Sequence, residues 1–176
     1  MRRNIKKYLV VDGYNIINAW EELREISLTD LDHSREKLID NITEYVEYTG
    51  RKGIVVFDAY NVKSSKEKVE QRKNITIVYT KEFQTADSYI EWFISTLSKY
   101  DDIKVATNDY AEQQIVLGKG ATRISSRELK LELETVKVRI KEESKAKKIQ
   151  RNWLEDRLDM DTLSKLENIR RKRWKH

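Results

Sequence analysis

Four short apolar runs, separated by longer segments of helical periodicity, divide the first two thirds of the chain. Each run has four or five residues and is rich in β-branched side chains, which is typical of a strand. The first two show no alternation of apolar and polar positions, which indicates strands buried on both faces, as in a parallel sheet covered by helices. The runs are Tyr8–Val11, Ile54–Phe57, Ile75–Tyr79 and Ile103–Ala106, and Thr122–Ile124 is predicted as a fifth, short strand.

Between the predicted strands, apolar residues recur every three or four positions. This spacing predicts a helix over about residues 30–49 and another over about 85–100, with Thr85 as the N-cap of the second. Residues Tyr110–Leu117 are predicted to form a short helix ended by Gly118. Because strands and helices alternate along the chain, we predict right-handed crossovers and a doubly wound α/β layer.

The last third of the chain has a different pattern. No strand signal follows the fifth strand, and Ser125 with Glu128 forms a capping box ahead of an apolar stripe. We predict a long amphipathic helix there and a second helix from about 152 to 172. The expected organisation is an α/β domain over residues 1–125 and a basic helical extension over residues 126–176 that packs on the same domain.

Composition excludes several kinds of site. The 176 residues include no cysteine and two histidines, which excludes a disulfide framework, a thiolate nucleophile and a Cys- or His-ligated zinc site. No apolar run approaches the roughly 20 residues that cross a bilayer, and the start of the chain lacks a signal-peptide pattern. We expect a cytoplasmic protein that has no membrane partner and no small-molecule cofactor. Any metal ion must be held by oxygen ligands.

Charge is distributed unevenly along the chain. Residues 1–120 contain 18 Lys and Arg against 20 Asp and Glu, whereas residues 121–176 contain 17 against 10. A basic segment attracts a polyanion, and an acidic cluster elsewhere can hold divalent cations. The two features together suit an enzyme that acts on nucleic acid.

Aspartates follow three of the predicted strands and begin the helix after another. Asp12, Asp58 and Asp109 lie at carboxyl ends of strands, and Asp87 lies in the first turn of the helix after the third strand. Carboxyl ends of parallel strands open onto one crevice, so we expect these carboxylates to share it. Their mutual repulsion costs stability unless a divalent cation offsets it, and Mg²⁺ or Mn²⁺ prefers such ligands. The reaction that fits is phosphodiester hydrolysis.

The candidate metal ligands differ in how strongly the sequence supports each of them. Asp109 is followed after three residues by Glu112, which would reach the ion if the turn between them is helical. Asn15, expected in a tight turn containing glycine, would orient Asp12 or donate to a scissile-phosphate oxygen. Each acid also has a simpler interpretation, since an Asp after a buried strand is often the N-cap of the next helix. In order of preference, the predicted ligands are Asp12, Asp87 and Asp109, then Asp58 and Glu112.

Aromatic and basic side chains are candidates for RNA contacts. Tyr14 and Tyr110 each adjoin a candidate catalytic residue and would stack on unpaired bases, and Asn108 would brace the same edge and contact RNA. The alternative is packing in the core or at its rim for the aromatics, and a solvated helix face for the basic residues. The predicted phosphate-binding residues are Lys130, Lys137, Lys141, Lys145, Lys148 and Arg151.

The motifs described above resemble those of one family. Asp-Gly-Tyr-Asn at 12–15, Val-Phe-Asp at 56–58, Thr-Ala-Asp at 85–87 and Ala-Thr-Asn-Asp at 106–109 are similar, in order and spacing, to the motifs of the bacterial YacP-like NYN proteins. These proteins form a branch of the PIN-like nucleases. One departure is Ser88, where a glutamate would complete a capping box.

This resemblance implies a fold and an activity. The fold would be a three-layer α/β/α PIN-like fold with a central, mainly parallel sheet and a C-terminal helical extension. The activity would be that of an endoribonuclease dependent on Mg²⁺ or Mn²⁺ that cleaves single-stranded mRNA on the ribosome and acts in mRNA decay. The family's first acid, asparagine, helix acid and late acid fall on the expected catalytic residues Asp12, Asn15, Asp87 and Asp109.

Two other functions stay open at this point. An RNA- or ribosome-binding adaptor of the same fold would keep the acids as structural residues. A phosphatase would use Asp12 as its nucleophile, but this chemistry usually needs a second acid two residues later, where the chain has Tyr14.

Overall fold

The computed structural model describes residues 5–58, 67–109, 113, 116–157, 162, 164–165 and 167–169, with the backbone alone described at 150–157. In chain order, the main strands and helices of this part are β1 (Lys7–Asp12), α1 (Gly13–Ala19), α2 (Glu21–Ser27), α3 (Leu31–Thr49), β2 (Lys52–Phe57), β3 (Lys68–Arg72), β4 (Ile75–Tyr79), α4 (Ala86–Thr96), β5 (Asp102–Ala106), β6 (Thr122–Ile124) and α5 (Ser126–Arg157).

The six strands form one sheet in the order β3-β4-β2-β1-β5-β6. Every pairing is parallel except that of β3 with β4. The predicted α/β class with a mainly parallel sheet is therefore confirmed. The central strands β1 and β2 are buried along five of their six residues, as their unbroken apolar runs predict.

Helices cover both faces of the sheet. On one face, Val10 of β1 packs in a core cluster with Ile90 and Ile94 of α4. On the other face, a Cβ added at Gly53 of β2 would lie 3.2 Å from Val46 of α3. The sheet is consequently the middle layer, and its carboxyl edge is the edge from which α1 and α4 begin.

Capping residues fix the ends of the predicted helices. Thr85 accepts a hydrogen bond from the Ser88 N–H (3.2 Å), which confirms it as the N-cap of α4. The Ser125–Glu128 capping box is also confirmed, since Glu128 Oε2 accepts from the Ser125 N–H (2.8 Å). The helix α3 ends at Gly50, whose φ of 67° is the left-handed conformation that suits glycine.

Some expectations are wrong. The strand β3 is missed because its sequence, Lys-Val-Glu-Gln-Arg, is that of a charged edge strand without an apolar face. Residues 12–15 do not form a tight turn, since Gly13 is the first residue of α1. No new helix begins near residue 152, because α5 continues to Arg157 with no proline or glycine to interrupt it.

The chain divides into two compact units, Met1–Val136 and Lys137–His176. The start of α5 belongs to the first unit, where Leu129, Leu133 and Val136 are buried. Among the described residues, no helix is both long and apolar enough to span a membrane.

Candidate active site

Asp12 joins the central strand to the first helix. It is the last residue of β1 and the N-cap of α1, and its Oδ1 accepts a hydrogen bond from the Asn15 N–H (3.1 Å). Its side chain is buried, with 9% of the residue exposed. The capping role suggested by its place after a strand is therefore present. An N-cap carboxylate uses one oxygen for the cap, and its second oxygen can still bind a cation.

The electrostatic surroundings of Asp12 connect it to the other predicted acids. Burial raises the pKa of Asp12, the hydrogen bond from Asn15 lowers it, and the negative charges of Asp87, Asp58 and Asp109 raise it further, to about 6. Burial disfavours a carboxylate and neighbouring carboxylates repel it, so both effects favour the protonated form. The fold has placed three acids that are distant in sequence, Asp58, Asp87 and Asp109, within electrostatic reach of the buried carboxyl group of Asp12.

Asp58 connects the end of β2 to the start of α4. One of its carboxylate oxygens accepts a hydrogen bond from the Ala86 N–H, the first backbone donor of α4. Burial raises the pKa of Asp58, and the hydrogen bond from Ala86 opposes this change. Asp87, the next residue of the helix, has an exposed side chain. Asp58 therefore helps to fix the part of the chain that presents Asp87.

Removing this cap is expected to destabilise the protein. Asp58→Ala should lower the free energy of unfolding by about 1–2 kcal/mol, because the Ala86 N–H then loses its half-buried acceptor. Asp58→Asn keeps an acceptor oxygen and should retain most of that stability. Urea unfolding of the two variants beside the wild type measures the difference. Equal losses in both variants would show that the hydrogen bond to Ala86 is not what stabilises α4.

The loop after β5 presents Asp109 on a fixed backbone. The buried Thr107 donates its N–H to the Ile124 carbonyl (3.2 Å), and its Oγ1 accepts from the Asp109 N–H (3.0 Å). The Asp109 carbonyl accepts from the Gln113 N–H (3.0 Å). The side chain of Asp109 is exposed while its backbone is held on both sides.

Asn15 belongs to a chain of hydrogen bonds that connects α1 to the start of α5. Its Oδ1 accepts from the Asn108 N–H (2.8 Å). The Asn108 side chain in turn accepts from the Ser126 N–H (2.9 Å) and donates to Ser126 Oγ (2.7 Å), while Ser126 O accepts from Trp20 Nε1 (2.9 Å). A backbone N–H can only donate, so the amide orientation of Asn15 is fixed and its NH₂ group is left as a donor.

Arg35, which is not among the residues predicted from the sequence, holds Tyr14. Its guanidinium donates to the Tyr14 hydroxyl (Nε···Oη 2.9 Å) and lies 5.3 Å from the centre of that ring. It also lies 5.9 Å from the ring centres of Phe57 and Tyr79. A cation and the face of an aromatic ring attract each other, so the contacts of Arg35 with these rings anchor the start of α1. The only sequence signal is a basic residue in the first turns of α3, which does not by itself identify a partner.

The other predicted metal-binding and RNA-binding residues lie partly outside the described residues. Tyr110 and Glu112 lie outside the described residues, as does the side chain of Arg151. Stacking by Tyr14 and an RNA contact by Asn108 stay predictions, and both side chains already have structural partners. Lys137 is partly exposed, and the other predicted phosphate-binding residues with described side chains are exposed, namely Lys130, Lys141, Lys145 and Lys148.

The acids fit a hard divalent ion in their chemistry but do not already form its ligand shell. Across the described part of the chain, no three Asp, Glu or His side chains are grouped closely enough to hold a metal ion. The donor set nevertheless consists of carboxylate oxygens, and burial and the three neighbouring acids raise the pKa of Asp12. The residues present therefore fit a hard divalent cation in donor type and charge.

Comparisons with known proteins agree on one family. The model of the YacP-like NYN domain matches residues 9–171. YacP of Bacillus subtilis (strain 168) is 44% identical over 133 residues, which are 75% of this chain and 78% of that protein. The crystal structure of Rae1 (YacP) from Bacillus subtilis aligns with a TM-score of 0.70 at 37% identity, over 93% of this chain and 94% of the other. The crystal structure of a point mutant of the same Bacillus protein aligns with a TM-score of 0.69 at 39% identity, over 82% and 84% of the two chains.

Proposed function

The chain belongs to the YacP-like NYN domain family, whose function is of the nuclease type and related to RNA, and we propose that it is a metal-dependent endoribonuclease. Its substrate is single-stranded mRNA, and it acts in association with the ribosome. The ribosome and mRNA enter this proposal through the family resemblance, and the metal enters through the acids of the site.

The observation that carries the proposal is the position of Asp12. It is buried at the carboxyl edge of the sheet, and its pKa is raised both by burial and by the charges of Asp87, Asp58 and Asp109. Such an arrangement is unfavourable unless a cation offsets the repulsion. A bound Mg²⁺ or Mn²⁺ would supply an activated water and neutralise the charge that develops on the phosphodiester.

The protein's own residues divide the remaining work. Asp12 keeps one oxygen on the Asn15 N–H and would offer the other to the ion, while Asp87 and Asp109 would offer carboxylates from α4 and from the loop after β5. The Asn15 NH₂ group, oriented by Asn108, donates to a phosphate oxygen and so positions the scissile bond. Hydrolysis then forms a bond between the water oxygen and phosphorus and breaks one phosphorus–oxygen ester bond, and the ribose oxygen that leaves takes up a proton as the water loses one.

The basic residues after position 136 supply affinity for the RNA backbone. Lys141, Lys145 and Lys148 are exposed on α5, within a unit that is rich in Lys and Arg. Binding through phosphates depends on salt and not on sequence. This contact would hold RNA whether or not the acids cut it.

Cleavage of an end-labelled, unstructured oligoribonucleotide tests the proposal. Asp87→Asn and Asp109→Asn should each lower the rate in Mn²⁺ or Mg²⁺ by about 100-fold or more, because each removes a charged ligand. The matched control is Asp101→Asn, an acid at the opposite edge that accepts from the Lys6 N–H and should leave the rate unchanged. Undiminished cleavage in both variants, or equal cleavage in EDTA, would refute the proposal. Parallel reactions with ribosomes measure whether they accelerate cutting.

An adaptor that binds RNA without cutting it is the second candidate. It is favoured by the capping hydrogen bonds of Asp12 and Asp58, which give both acids a structural role that needs no ion. In the same assay, an adaptor forms stable complexes with RNA and no metal-dependent fragments.

A further inference from the structure

The loop between β4 and α4 exposes an aromatic side chain at the edge of the sheet that carries the acids. Phe83 is 99% exposed, the largest exposed fraction among the large apolar side chains of the described residues. A phenyl ring that stays in water contributes nothing to the stability of the folded protein, because only its burial would be stabilising. The exposure therefore calls for an explanation other than stability.

The backbone of Phe83 adds a second cost. Its φ is +67°, in the left-handed region that a bulky L-residue rarely adopts. In the described chain the other positive φ at a non-glycine residue is that of Lys73, in the tight turn between β3 and β4. Next to Phe83, the buried Gln84 Oε1 has no hydrogen-bond partner among the described residues. A strained backbone conformation and a buried polar atom without a partner are both more common at functional sites, where the conformation serves a ligand.

Both ends of this loop are tied to the end of β2. At its start, Thr80 donates its N–H to the Phe57 carbonyl (3.0 Å). At its end, the Ala86 N–H donates to Asp58, and Asp87 follows directly. The loop is thus a fixed part of the site's edge, and Phe83 is exposed on it within four residues of a predicted metal ligand.

We propose that Phe83 stacks on one unpaired base of the RNA and thereby helps to hold the strand at the site. This role rests on the function proposed above. The two residues before Phe83, Lys81 and Glu82, are exposed and charged, so this part of the described chain offers no continuous apolar surface for a protein partner to cover. A single exposed ring suits a base, because every base has a face for stacking. The contact is accordingly tolerant of sequence.

The decisive variant is Phe83→Gly. Glycine adopts a φ of +67° without strain, so the variant should fold with unchanged or higher thermal stability. The KM for a single-stranded oligoribonucleotide should rise about tenfold with little change in kcat, since one base–aromatic stack contributes about this factor or more. Phe83→Trp, which keeps an aromatic ring at this position, should have the wild-type KM. The matched control is Lys73→Gly, which relieves the same kind of backbone conformation at the other end of β4 and should leave KM unchanged.

A scan of abasic nucleotides through the oligoribonucleotide identifies the stack directly. One abasic position should raise the KM of the wild type about tenfold and leave the KM of Phe83→Gly unaltered, because the variant has no stack to lose. If Phe83→Gly keeps the wild-type KM while RNA is cleaved normally, the stacking role is wrong and the nuclease proposal stands. If the wild type neither binds nor cleaves the RNA, both proposals are overturned.

Discussion

Replacing Asp12 with asparagine is expected to stabilise the protein at neutral pH while removing its cleavage activity. The change from the ordinary pKa of 3.8 to about 6 corresponds to about 3 kcal/mol of unfavourable free energy for the ionised, buried carboxylate. Asparagine keeps an oxygen that accepts from the Asn15 N–H, so the N-cap survives. A gain of about 1–3 kcal/mol is expected because the uncompensated charge is gone.

The pH dependence follows from the direction of this shift. The folded protein binds the Asp12 proton more tightly than the unfolded chain does, so this group favours folding below about pH 4. That contribution is lost as the pH rises through about 6. The variant should therefore equal the wild type in stability near pH 4 and exceed it at about pH 7.5. Urea unfolding at both values, in EDTA, measures the difference.

The activity of the same variant separates function from stability. Cleavage in Mn²⁺ should fall by about 100-fold or more although the fold is at least as stable, since the ion loses its buried ligand. Asp101→Asn serves as the control for removing a negative charge. A variant that is less stable than the wild type at neutral pH, or one that cleaves RNA normally, would contradict the account of Asp12.

Gly13→Ala is expected to cost about 3 kcal/mol of stability, and more if the core cannot adjust. A Cβ at this position would lie 2.2 Å from Cε1 and 2.4 Å from Cδ1 of Phe57, whose side chain is fully buried. The ring cannot move freely, because it packs against Tyr14 (5.2 Å) and Tyr79 (5.5 Å). The backbone that links Asp12 to α1 must shift instead, and cleavage should be lost with the geometry of Asp12.

Two further variants test this explanation. Gly118→Ala is the control, because a Cβ there meets no atom within 4 Å in a helical residue, and it should be neutral or gain about 0.5 kcal/mol. Phe57→Leu makes room beside Gly13, so the double variant Gly13→Ala/Phe57→Leu should lose less stability than the two single losses added together. Additive losses would mean that the alanine does not meet the ring of Phe57.

The parts of the fold that the sequence predicts are those in which each local pattern has one outcome. The runs at Tyr8–Val11 and Ile54–Phe57 are apolar because both faces of a central parallel strand are covered. β3 escapes prediction because an exposed edge strand needs no apolar pattern, and its pairing with β4 is made by the backbone. The sequence does not predict the helix α1, because its first residue is glycine, a residue that usually indicates a turn.

The candidate site is predictable as far as topology decides it. Asp12, Asp58 and Asp109 follow strands that lie side by side, so their shared edge follows from a parallel sheet. The position of Arg35 over three rings does not follow, because it depends on how α3 packs against the sheet. Nor does the left-handed backbone of Phe83, since no sequence pattern marks an exposed aromatic residue under strain.

The central claim is that the acids at the carboxyl edge of the sheet bind a divalent ion. Titration of Mn²⁺ into the full chain, monitored by calorimetry or electron paramagnetic resonance, tests it most directly. The acids at the carboxyl edge should bind the ion in the wild type, and Asp12→Asn, Asp87→Asn and Asp109→Asn should each weaken binding by about tenfold or more. Asp101→Asn should bind as the wild type does. An affinity for Mn²⁺ that is the same in the wild type and in all of these variants would contradict the account.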